Sequence, residues 1–196
     1  MSLYTILLFV HVSGAIGVFV GMGTWLFGMT AIARASRVEQ VRTLADLMLM
    51  SRYVVPVSAF IIIASGLTMT LTTWGLQTRG ILVATGGLIL IGPTGTWVVD
   101  PKVRAIAALA HTLPDGFLPT SLIVCIHDRV LRTALHTLIA MLLGIVFLMT
   151  TKPALSTSIL AMGISLFLGL ASSVLLLRTG PALVSNHGPQ HEENES

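Results

Sequence analysis

Five stretches of this chain contain no Asp, Glu, Lys or Arg, and no other feature of the sequence limits its folding so tightly. They run from Leu3 to Ala33, Tyr53 to Thr78, Gly80 to Val99, Thr133 to Thr151 and Pro153 to Leu177. An apolar helix of about 20 residues crosses the ~30 Å hydrocarbon core of a bilayer, and each stretch is near or above that length. A barrel strand alternates apolar and polar residues over about 10 positions. Runs such as Phe60-Ile61-Ile62-Ile63-Ala64 show no such alternation. The expected fold class is all-α: a polytopic transmembrane helix bundle over 1–178, with spans of about 3–33, 53–76, 80–99, 132–151 and 154–177. Residues 179–196 are polar and lack periodicity, and read as a disordered cytoplasmic tail.

Composition supports this class. Apolar residues make up 54% of the 196 and charged residues 10%, with a mean hydropathy of +0.90; an ordinary soluble domain has roughly 25% charged residues. A water-soluble protein of 20.8 kDa has too much surface for so few charges to cover. Cys125 is the single cysteine, which excludes a disulfide scaffold and Cys-based zinc sites. The net charge is +3, yet no Lys/Arg cluster carries interleaved aromatics, so nucleic acid is not an expected partner. The expected partner is the lipid bilayer.

The first stretch has no basic residue before Arg34 and is too long for a signal peptide, so it reads as a retained helix. Its 31 residues would span about 46 Å and must tilt or protrude from the bilayer. Nine Lys/Arg fall in the segments 34–52 and 100–132 and at Arg178, against Arg79 and Lys152 on the other side. The positive-inside rule then places the N-terminus outside and the C-terminus in the cytoplasm. Phe117 to Ile126 is apolar and reads equally as an interfacial helix or as an extension of the fourth span.

Small residues recur at helical spacing. Gly17 and Gly21 form a GxxxG pattern, and Ala161, Ser165, Gly169 and Ser173 form a ladder. Such faces let membrane helices approach closely. Packing inside one bundle is the favoured use; a homo-oligomer or a membrane partner subunit is the alternative. Gly92-Pro93-Thr94-Gly95 is expected to break or kink its helix.

Ionisable residues inside spans are functional candidates, and His11 and His136 are the two here. Val18, Met22, Trp25 and Met29 share the azimuth of His11, but His11 and Met22 are about 16 Å apart along the axis, so this stripe reads as packing. His136, one turn after Arg132, reads as an interfacial histidine bonded to a carbonyl or water. His11 and His136 fall on opposite sides of the bilayer and cannot clamp one haem. Lys152 ends the fourth span at a depth matching His11, either as a snorkelling anchor or as a second group at a shared site. The sequence names no catalytic residue and no metal-binding set, and leaves open whether the chain is an enzyme.

Leu7-Leu8-Phe9-Val10-His11-Val12-Ser13-Gly14-Ala15-Ile16 with Gly21, Asp100-Pro101-Lys102-Val103-Arg104, and Leu148-Met149-Thr150-Thr151-Lys152-Pro153 occur in an order that resembles a group of small bacterial integral membrane proteins. That group is loosely CopD-like, is of unknown function, and matches about residues 3–153. The first helix is distantly similar to that of HemJ-type protoporphyrinogen oxidases, which bind haem through a His and a Lys. This chain differs from them in its fifth span, and it has Gly17-Val18 where the group often carries a Trp. The resemblance implies His11 and Lys152 as cofactor-binding residues and haem b as the cofactor. Two functions follow as expectations: a haem- or metal-associated redox or handling protein with His11 as ligand, or a non-catalytic membrane subunit of a transporter or assembly complex.

Overall fold

In a computed structural model, which describes residues 2–74 and 79–178, helix dominates and the described part of each uncharged run is largely helical. The elements are α1 (Leu3–Ile32), α2 (Val38–Met50), α3 (Val54–Met69), α4 (Arg79–Thr94), α5 (Asp100–Thr112), α6 (Thr120–Ile126), α7 (Arg129–Thr151) and α8 (Leu155–Arg178). Among the described residues, five helices are long and apolar enough to cross a membrane. The side chains they leave exposed are those lipid would solvate, including Phe27, Phe60, Trp97 and Phe167. The tail expected over 179–196 lies outside the described residues.

α1 buries Gly14, Val18, Gly21, Met22, Trp25, Gly28 and Ile32. Apart from Met22 these alternate in steps of four and three, the seam of a left-handed helix pair. The partner is α3, continued backwards by α2, running antiparallel: Gly28 meets Met48, Gly21 meets Val55, and Gly17 meets Ser58. The GxxxG pattern is therefore spent inside the chain. Val18 and Trp25 of the stripe lie on this seam, and Met22 is buried beside it, so the stripe is used for packing. In this register Arg52 lies level with Thr24, so the part of α1 from Leu3 to Thr24, beyond the charged layer, is about 33 Å long, close to the ~30 Å hydrocarbon thickness. The remaining turns of α1 pack on α2. That is where the surplus length of the first apolar run goes.

α7 and α8 form the second close pair, with α4 against α7. Here the small-residue ladder faces inward, Gly144 against Ser165 and Gly169 against Thr137 and Ala140. Several hydroxyls in the apolar bundle return to their own helices, although Thr137 Oγ1 is buried without a hydrogen-bond partner among the described residues. Ser65 donates to the carbonyl of Ile61, Thr70 to Gly66, Ser158 to Ala154 and Ser173 to Leu170, which satisfies polar groups where no water is available.

The segments 34–52 and 100–132, read from sequence as loops, are mostly helical. α2 continues into α3 through a single 3-10 turn at Ser51–Tyr53, and α5 follows α4 through a π-helical turn at Gly95–Val99. Amphipathic spacing explains this. Val38, Val41, Ala45 and Met48 of α2 pack on α5, which buries Val103, Ile106, Ala107 and Ala110. Pro93 sits inside α4 just before the π turn, so the Gly92–Gly95 break reshapes the helix without ending it. α6 is a separate short helix against α5, with Leu122 and Ile126 buried. It does not extend α7, because the Asp128 carboxylate takes the amides of Val130 and Leu131 and starts a new helix there.

Candidate functional sites

His11 lies on the α1–α3 seam, three residues before Gly14. Its Nδ1 is 3.1 Å from the carbonyl oxygen of Ile62 and 3.2 Å from Ser65 Oγ. A carbonyl only accepts, so Nδ1 carries the proton and donates. The Ser65 hydroxyl gives its own proton to the carbonyl of Ile61, 2.6 Å away. Gly66 makes room for the ring, since a Cβ there would lie 3.1 Å from His11 Cε1. Neutral Nε2 is left with a lone pair and has no hydrogen-bond partner among the described residues. Metal-ligating histidines are commonly oriented this way, with the second nitrogen held by a carbonyl.

No group of three or more His, Cys, Asp or Glu able to hold a metal ion occurs among the described residues. His11 therefore offers one imidazole nitrogen, and the described residues around it supply no protein ligand set that would hold a metal ion by itself. Lys152 closes α7 at the end of the bundle away from the charged layer, in a left-handed conformation (φ 47°), with its amide bonded to the carbonyl of Leu148. Pro153 disfavours continued helix at the residue before it, which accounts for the stop. Both hydrogen-bond partners of His11 come from α3, so its observed contacts are with that helix.

His136 bonds as its spacing suggested. Nδ1 donates to the carbonyl of Arg132, 2.8 Å away, one turn earlier. Sequence reasoning did not anticipate that His136 lines an apolar groove of about 580 Å³ between α7 and α8, with Leu26 of α1 contributing. Another cleft, lined by Arg34, Glu39 and Gln40, lies at the turn from α1 to α2. His11 lines neither of them.

A polar layer at the charged end also escaped the sequence reading. The Asp100 carboxylate, only 8% exposed, pairs with Arg104 one turn on and lies 3.7 Å from Arg52 Nε. Arg52 also stacks over Tyr53 at 4.7 Å. Asp100 thus joins the α2–α3 junction to the start of α5. Arg42 donates to the carbonyls of Ala110 and Leu113, which the end of α5 leaves open, and pairs with Asp115. Lys102 pairs with Asp128, tying α5 to the cap of α7. Trp25 Nε1 donates to the carbonyl of Met48, where the 3-10 turn interrupts the ladder. The Asp100–Arg104 spacing was readable as an i,i+4 pair; Arg52 and Arg42 are joined to their partners only by the fold. These groups pair with one another and close the bundle end, which makes the layer structural.

Comparison with protein-family models, with curated proteins and with solved structures returned no match.

Proposed function

We propose that this chain is a multi-pass protein of the bacterial inner membrane, N-terminus outside, that associates with haem or a metal in a redox or handling role through His11. The orientation rests on nine Lys/Arg against two. The association rests on one observation: the Ile62 carbonyl and Ser65 hydroxyl hold Nδ1 in the donating state, which leaves Nε2 free to ligate within an apolar span. Haem, when bound, would bring a one-electron iron centre; the chain would supply the oriented imidazole and an environment without water. Lys152 is the second residue proposed for this site, on a depth matching that of His11 and on the family resemblance. The alternative is a non-catalytic subunit of a transporter or assembly complex, in which His11 serves the contact of α1 with α3 through the Ile62 carbonyl and Ser65 hydroxyl.

The deciding experiment is the visible spectrum of protein purified from haem-supplemented cells. The haem reading expects a Soret band that is lost in His11→Ala and kept in His136→Ala. A metal in place of haem would appear in elemental analysis with the same dependence on His11. A wild-type protein carrying neither, with normal folding, would favour the subunit reading.

A further inference from the structure

The groove between α7 and α8 follows from how those helices touch. Close contact is made through Gly144 on Ser165 and Gly169 on Thr137, while bulky side chains flank the line of contact. On α7 the groove is walled by His136, Ala140, Leu143 and Phe147, whose steps of four, three and four keep them on one face. Leu168 and Ser172 face them from α8. From His136 to Phe147 the wall is about 16 Å long. Half of the ~30 Å hydrocarbon core is about 15 Å. The groove therefore has the length of one leaflet, and a volume of about 580 Å³ that suits a flexible apolar chain.

Its two ends differ. The Phe147 end lies about 22 Å along α7 from Arg132, past the middle of the uncharged run, whereas the His136 end lies one turn from the charged layer. Arg132 continues the groove stripe one turn before His136; it is half-buried, and its guanidinium has no hydrogen-bond or ion-pair partner among the described residues. His136, with Nδ1 committed to the Arg132 carbonyl, presents Nε2 as a further polar atom at that end. A half-buried unpaired cation beside a leaflet-long apolar trough calls for a ligand with an anionic head and an apolar tail. We propose that the α7–α8 groove binds one acyl chain of an anionic phospholipid from the leaflet at the charged end, its phosphate pairing with Arg132.

The test uses the full chain purified in mild detergent, with native mass spectrometry reading lipid retention. The probes are phosphatidylglycerol, phosphatidylcholine of matched acyl length, and glycerophosphate. Phosphatidylglycerol should be retained preferentially, and glycerophosphate not at all. A basic residue near anionic headgroups contributes about 1 kcal/mol, so Arg132→Gln should weaken phosphatidylglycerol retention about fivefold and leave phosphatidylcholine unchanged. Leu143 is 56% exposed, so Leu143→Trp fills the groove without disturbing the buried core and should abolish retention. Leu168→Trp, at a position 57% exposed on the opposite wall, repeats the test should the first variant fold poorly. Equal retention of both lipids, or retention indifferent to Arg132→Gln and to both Trp variants, overturns the proposal. So does a lipid-free dimer that the Trp variants dissociate, since a second copy would then be the occupant.

Discussion

Replacing Gly169 by Ala tests whether close approach of α7 and α8 holds the second half of the bundle together. A Cβ at this position would lie 2.6 Å from Thr137 Cα, 3.2 Å from Ala140 Cβ and 3.3 Å from the His136 carbonyl oxygen. The nearest obstacle is backbone and cannot rotate away, so the helices must separate by about 1 Å to restore contact at 3.5–4.0 Å. Overpacking of this kind costs about 1–3 kcal/mol. The added Ala also favours helix by up to about 1 kcal/mol, which would blur a single measurement. Gly163 on the same helix has nothing within 4 Å of its would-be Cβ, so Gly163→Ala carries the same propensity gain and no clash. The difference between the two variants isolates the packing cost, expected at about 1–3 kcal/mol against Gly169→Ala. Unfolding in detergent mixtures of rising SDS fraction, followed by circular dichroism, measures it. Equal stability of the two variants would refute the reasoning and mean that α7 and α8 do not meet at this register.

The charged end offers two further tests. Arg42→Gln removes donors to the Ala110 and Leu113 carbonyls and the pairing with Asp115; it should cost about 1–3 kcal/mol and raise hydrogen exchange in α5 and in residues 113–119 but not in α7 or α8. Asp100→Asn leaves Arg52 and Arg104 without their buried carboxylate and should cost about 1–3 kcal/mol, below the 3–5 of a fully buried pair because both arginines are part-exposed. Asp46→Asn, in a pair with His111 that is about half exposed on both sides, should cost under about 1 kcal/mol. Comparable losses from Asp100→Asn and Asp46→Asn in thermal melts would show that burial of Asp100 contributes nothing.

The sequence by itself determined the number of long apolar helices and their approximate limits. Charge is excluded from hydrocarbon whatever the helices do there, so runs free of Asp, Glu, Lys and Arg mark the spans without knowledge of their neighbours. It also marked the faces that pack, because small residues at i+4 spacing, such as Gly17 with Gly21 and Ser165 with Gly169, permit close approach along one side only. The helical character of 38–50 and 100–112 was legible in Val38, Val41, Ala45 and Met48, but the density of arginines there pointed to loops. His11 was legible as a candidate, since an ionisable group in an apolar span is conspicuous. Its partners were not: the Ile62 carbonyl and Ser65 hydroxyl stand more than 50 residues away, and only the antiparallel register of α1 on α3 brings them to its ring. The same holds for Arg42 at the end of α5 and Arg52 beside Asp100. The groove at His136 belongs wholly to the tertiary structure. A cavity is the space that packing leaves unfilled, and that space depends on the distance and rotation between two helices, which neither helix encodes alone.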